Sequence, residues 1–260
     1  MRRPYIGITD FTCFEQVEEM LAVLKPYHQM REFRHLLHVG VMMSYKTLHG
    51  LQTKWAKAFP AKENIASIFG SDDVYNCLHY ADYACNSNLY LRQSLLQAIS
   101  YGGIGMHAIQ LDMIWPDPIQ IASALGFSRK KPEIILQIGK NAIEAANNNP
   151  QTVVQKLEDY RQVVNRVLLD KSMGRGIGMN AAELEPFVCA IKKHFPDIGI
   201  GVAGGLGPET IHLAEPLAAV FPDISIDAQG KLRPSGDALD PIDWNMAKEY
   251  LARAAGLFAK

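Results

Sequence analysis

Along the whole chain, short apolar runs alternate with longer stretches whose apolar positions recur at helical spacing. Tyr5–Thr9 reads as a strand, and residues 14–24 read as the helix after it. Residues 35–43 form a second strand pattern, with a helix over 47–59. Residues 65–69 read as the third strand, followed by two helical stretches, 73–84 and 89–100. Residues 107–114 are the fourth strand, with a short helix after Pro118. Residues 133–138 are the fifth, followed by helices over 142–146 and 152–163. Arg166–Asp170 is the sixth, with a helix over Ala181–His194. Residues 198–203 and 224–228 give the seventh and eighth strands. Helices over 208–220 and 241–258 follow them.

Eight strands, each followed by helix, predict a single (β/α)8 TIM barrel spanning residues 1–260. The strands are near-continuous apolar runs, as expected for parallel strands buried on both faces. A doubly wound open sheet is the rival architecture, and it usually stops at fewer strands. In a barrel the chemistry sits at the C-terminal strand ends. The candidates there are Thr9 and Asp10, Ser44 and Lys46, Gly70 to Asp72, Gln110 and Asp112, Gln137 and Lys140, Asp170 and Lys171, Gly204 and Gly205, and Asp227 to Gly230.

Glycine placement sharpens that set. The seventh strand runs into Gly204-Gly205, with Pro208 and Glu209 expected in the first turn of a following helix. Paired glycines bring bare backbone N–H groups close to a ligand, and a helix N-terminus favours an anion. Gly176 and Gly178 after strand six and Gly230 after strand eight converge on the same rim, which predicts a phosphate site.

Composition narrows the function classes. The chain has 260 residues, 48% of them hydrophobic, enough for a sizeable core. Net charge is −1 and no basic run occurs, so neither nucleic acid nor a membrane surface is an expected partner. No stretch is apolar enough to span a bilayer. Asp10 and Glu15 interrupt any signal-peptide core after Met-Arg-Arg-Pro-Tyr. Cys13, Cys77, Cys85 and Cys189 show no CxxC spacing, which fits reduced thiols in a cytoplasmic protein better than a closed zinc site. His35, His38 and His49 form no HExxH pair and read as core-edge or surface histidines. No metal ion and no cofactor is expected. Oligomeric state stays open, a homodimer included.

Several segments also carry a resemblance. Leu168-Leu169-Asp170-Lys171-Ser172 precedes the glycine-rich Gly174-Arg175-Gly176-Ile177-Gly178. Ala203-Gly204-Gly205-Leu206-Gly207-Pro208-Glu209 follows strand seven, and Ile226-Asp227-Ala228-Gln229-Gly230 ends strand eight, one residue shorter than the pattern it matches. Ile109-Gln110-Leu111-Asp112 and Gly7-Ile8-Thr9 add weaker points. Together these segments resemble phosphoribosylanthranilate isomerase and its ribulose-phosphate-binding barrel relatives. The resemblance implies a small phosphorylated substrate, held in part by Gly176, Gly178, Gly204, Gly205, Gln229 and Gly230. It also implies an Amadori-type isomerisation in which a strand-six aspartate, here Asp170, is the general acid. The family's strand-one cysteine base is absent: Ile6 stands in its place, and Pro4 replaces a neighbouring lysine. Asp10 and Asp112 are the expected replacements, Asp10 first because it ends strand one.

Each residue also has a plainer role. Asp170 can cap a loop, Asp10 can cap a helix, Asp112 can be a satisfied loop residue, and Trp115 can anchor a loop as readily as stack on a substrate. Two other functions stay open. One is a Schiff-base aldolase or lyase using Lys46, Lys140 or Lys171, although strand alternation turns Lys171 away from the axis if Asp170 points in. The other is a phosphate-ester binder that has lost its chemistry.

Overall fold

The structure is a computed structural model that describes residues 2–84, 89–171 and 178–259. Eight parallel strands close into a barrel in chain order, the first pairing with the eighth. They are β1 (Tyr5–Thr9), β2 (Leu36–Ser44), β3 (Tyr75–Ala81), β4 (Ala108–Asp112), β5 (Glu133–Gly139), β6 (Arg166–Asp170), β7 (Gly199–Ala203) and β8 (Ser225–Ala228). Around them lie α1 (Phe14–His28), α2 (Tyr45–Leu48), α3 (Ile65–Ile68), α4 (Leu91–Gly102), α5 (Pro118–Phe127) and α6 (Lys140–Glu144). The ring is completed by α7 (Pro150–Glu158), α8 (Ala181–His194), α9 (Glu215–Val220) and α10 (Trp244–Phe258). Local chemistry starts several of these helices. Asp117, Asn149 and Asp243 each turn a side-chain oxygen onto the first free N–H groups of α5, α7 and α10.

Period-two alternation divides the strands into two faces. One parity, including Ile6, Ile8, Val39, Leu78, Leu111, Leu136, Leu169 and Val202, packs against the helices in the main core. The other parity faces the barrel axis and forms a separate small cluster: Tyr5, Tyr75, Cys77, Ala108, Ile135, Leu168 and Ala203. At the N-terminal end of the barrel, Arg166 donates to Glu133 at 2.9 Å and lies over the rings of Tyr5 and Tyr75, while Arg2 reaches the same carboxylate. This paired network closes the floor. Among the described residues no helix is long and apolar enough to cross a membrane.

Three elements depart from the sequence expectation. Residues 65–69 are not the third strand: Ile65 and Ile68 bury one side of the short helix α3, leaving Ala66 and Ser67 exposed. The third strand instead lies at Tyr75–Ala81, within the stretch expected to be helical. Its axis-facing residues Cys77 and His79 break the apolar run and disguise it. Gly70 to Asp72 therefore precede a strand, and Ala81, Asp82, Tyr83 and Ala84 take their place at the mouth. The helix expected over 47–59 splits at Gly50 into α2 and a 3₁₀ turn at Lys54–Lys57. After β7, residues 208–210 form a turn and Ile211–Ala214 a 3₁₀ turn, so no helix begins at Pro208. The dipole argument for an anion there falls away; the bare backbone remains.

Candidate active site

At the C-terminal ends of the strands the barrel opens into a cavity of about 1080 Å³. Every strand sends residues to its walls. The axis-facing parity turns polar at this end: Thr9 from β1, His79 from β3, Gln110 and Asp112 from β4, Gln137 from β5, Asp170 from β6 and Asp227 from β8. Such a layer is costly to bury unless its groups bond one another. Gln110 Nε2 donates to Gln137 Oε1 at 2.8 Å, and Gln137 Nε2 reaches Asp170 Oδ2 at 3.4 Å. Thr9 donates toward both oxygens of Asp227, at 3.2 and 3.1 Å. Gly7 keeps this packing possible: a Cβ there would lie 2.4 Å from Asp227 Oδ1.

Asp112, Asp170 and Asp227 thus project from the strand ends into one cavity, and their surroundings raise Asp112 and Asp227. Burial lifts Asp112 to about 7; its hydrogen bond from Tyr83 opposes the rise and the charge of Asp170 adds to it. Burial likewise lifts Asp227 to about 7, against the Thr9 bond and with the repulsion of Asp170. The Tyr83 hydroxyl is itself pushed upward, by burial and by Asp112.

Asp10 occupies a different place. It does not line the cavity. Its carboxylate is ion-paired with Arg233 and accepts from Gln229 Nε2 at 3.0 Å. Burial raises it, while Arg233 pulls it back down. Arg233 also donates to the carbonyls of Gln229 and Asp240, fastening the loop after β8 to the end of β1.

The expected phosphate residues divide in the same way. Gly204, Gly205, Gln229 and Gly230 line the cavity, adjacent to Asp170 and Asp227 through the β6–β7–β8 register. Gly204 and Gly205 have φ of +136° and +56°, a backbone path that a side chain strains. Gly178 is exposed, lies against Leu213 and does not line the cavity. Gly176 falls outside the described residues.

Of the three lysines, Lys46 lines the cavity. Lys171 pairs with Glu183 at 3.0 Å on the helix side, as alternation with Asp170 requires, and Lys140 reaches Glu144 at 3.8 Å. Trp115 anchors a loop, its indole N–H donating to the Ala142 carbonyl at 2.9 Å.

Two features were not visible from spacing. Trp55 and Phe59 line the cavity beside β2 and stack on each other, centroids 5.4 Å apart at 12°. Below the carboxylates, His38, Cys77 and His79 meet inside the barrel, their nitrogen and sulfur atoms all within 4.8 Å of one another. The spacing Cys77-x-His79 signals one strand face only once residues 75–81 are recognised as a strand.

No protein-family model matches the chain, and no curated protein matches it in sequence. Similar solved structures do exist. Phosphoribosyl anthranilate isomerase, in complex with reduced 1-(o-carboxyphenylamino)-1-deoxyribulose 5-phosphate, superposes with a TM-score of 0.61 at 16% identity over 97% of this chain and 99% of that one. Triosephosphate isomerase from Bartonella henselae gives 0.55 at 10% identity, with both chains covered fully. Phosphonopyruvate hydrolase gives 0.52 at 13% identity over 86% of this chain and 75% of that one. At these identities the likeness is one of fold.

Proposed function

We propose that this barrel is an isomerase acting on a phosphorylated sugar or aminosugar by acid–base catalysis. The observation that carries the proposal is the placement of Asp112 and Asp170 in one cavity whose wall also includes Gly204, Gly205 and Gly230, the first two directly following the β7 residue paired with Asp170. The phosphate is bound at that wall by backbone N–H groups, assisted by Gln229. Asp112, held near 7 by burial, keeps a proton close to neutrality that an ordinary carboxyl would have lost. It donates that proton to the ring oxygen as the C1–O bond breaks. Asp170, oriented by Gln137, then takes the proton from C2, and the resulting enol or enolamine is reprotonated to the ketone. The chain holds the reacting groups in place, and no atom is gained or lost.

This assignment differs from the one that the resemblance implies. Asp10 gives up the base role because Arg233 and Gln229 already hold its carboxylate outside the cavity. Asp170 changes from acid to base because its charge is among the influences that keep Asp112 protonated. The stacked Trp55 and Phe59, with Lys46 and Lys54 beside them, face the site from the β2 side. They suit a planar, anionic substituent on the sugar. The solved isomerase of similar fold holds a ligand of that description.

The test is a thermal-shift screen of phosphorylated sugars, with and without N-aryl substituents, followed by turnover assays on those that bind. Asp170→Asn and Asp112→Asn are each expected to lower turnover by roughly 10²–10⁴-fold while phosphate-ester binding persists. Wild-type turnover in both variants would refute the assignment. Trapping of a carbonyl substrate by borohydride at Lys46 would replace it with the aldolase reaction.

A further inference from the structure

The inner face of β2 and β3 holds a set of side chains that sugar-phosphate isomerisation does not use. Alternation along β3 turns both Cys77 and His79 toward the axis, and β2 brings His38 beside them. All three are fully or almost fully buried. We infer that His38, Cys77 and His79 bind a single zinc-class divalent ion at the floor of the cavity, with an open coordination position facing the mouth.

The spacing fits such an ion. Metal–nitrogen bonds of about 2.0–2.1 Å and a metal–sulfur bond of about 2.3 Å place tetrahedral ligands roughly 3.5 Å apart. The Nε2 atoms of His38 and His79 are 3.4 Å apart. The widest separation in the set is no more than 4.8 Å, so closing around an ion takes a movement of about 1 Å.

The three donors also have little else to do. Two imidazoles facing each other through Nε2 satisfy only each other, one as donor and one as acceptor. The Cys77 thiol makes a long contact, 3.9 Å to the Leu78 carbonyl, and meets the backbone at Gln110. His38 Nδ1 is buried without a hydrogen-bond partner among the described residues. That nitrogen lies 3.9 Å from Asp227 Oδ1. A metal on Nε2 fixes the proton on Nδ1, directed at this carboxylate, which is the arrangement that orients histidine ligands in metalloproteins. Two glycines clear space around the rings. A Cβ on Gly7 would lie 2.8 Å from His38 Nδ1, and one on Gly40 would lie 3.0 Å from His79 Nε2.

One sulfur and two nitrogens select a zinc-class ion over magnesium or calcium, which take oxygen ligands. Access exists because His79, Thr9 and Gln110 line the cavity. The inference rests on this geometry alone and does not require the sugar-phosphate reading.

The test uses the full chain, stripped of metal with a chelator and titrated with Co²⁺, then with Zn²⁺. One equivalent of cobalt should bind, with a thiolate-to-cobalt charge-transfer band in the near ultraviolet and tetrahedral bands in the visible, and zinc should displace it. Cys77→Ser and Cys77→Ala should each abolish the charge-transfer band. Asp227→Asn should weaken zinc binding by about 10–100-fold. Near-ultraviolet circular dichroism checks that each variant folds, and the wild-type titration decides the matter if none does. Folded wild-type protein that gives no stoichiometric cobalt spectrum overturns the site. So does a charge-transfer band that survives loss of the Cys77 sulfur.

Discussion

At the scale of single residues, the molecule spends stability on its mouth. Asp112 titrates near 7 in the folded chain and at the ordinary 3.8 when unfolded. Below about pH 4 it is protonated in both states and its burial costs little. As pH rises toward 7 the unfolded chain releases this proton while the folded chain keeps it, so stability falls across that window and levels off above it. The displacement corresponds to at most about 4 kcal/mol. Tyr83 and Asp170 face this carboxyl, the first favouring its charged form and the second opposing it. Denaturation of the wild type and of Asp112→Asn between about pH 4 and 8 should show the variant gaining on the wild type as pH rises. A constant difference would mean that Asp112 is not displaced. The sequence made Asp170 and Asp112 legible because both close a strand, where barrels place their carboxylates. It did not separate them from Asp10, because the partner that removes Asp10 from the site, Arg233, is 223 residues away in the chain.

At the scale of elements, β1 and β6 were readable to the residue because they are short, apolar and bounded by turns. β3 was not. Its inner face carries Tyr75, Cys77 and His79, so its pattern lacks the continuous apolar run that marked the other strands. The His38–Cys77–His79 cluster was hidden for the same reason, since it exists only when β3 is a strand paired with β2. Two loops yield predictions. Gly205 lies at φ +56°, so Gly205→Val should cost roughly 1–2 kcal/mol through backbone strain and, on the proposed function, also narrow the phosphate-binding wall. Thermal denaturation reads the first effect and a phosphate titration the second; an unchanged phosphate affinity would remove this loop from the site. The Arg233–Asp10 pair ties the β8 loop to β1. Arg233→Ala strands a buried carboxylate and should lower stability by roughly 3–5 kcal/mol in chemical denaturation. A loss below about 1 kcal/mol would show that the pair does not hold the loop.

At the scale of the whole molecule, eight strands close in order, and their outward face is almost wholly aliphatic. Strand count and helix alternation alone predicted that architecture, even with one strand misplaced, because the true β3 lies a few residues beyond the expected one. Closure brings Asp112, Asp170, Asp227 and the β7–β8 glycines around one cavity. On the proposed function, this cavity moves a proton on the carbon skeleton of a phosphorylated sugar. The most direct measurement is proton exchange at C2, followed by NMR in D₂O with a sugar phosphate that the protein binds. The wild type should remove the C2 proton, with deuterium entering C1 of the ketone and C2 of any substrate returned by the reverse step, and Asp170→Asn should bind the same ligand but leave that proton in place. A wild-type protein that binds the phosphate ester and leaves its C2 proton in place would contradict the proposed function.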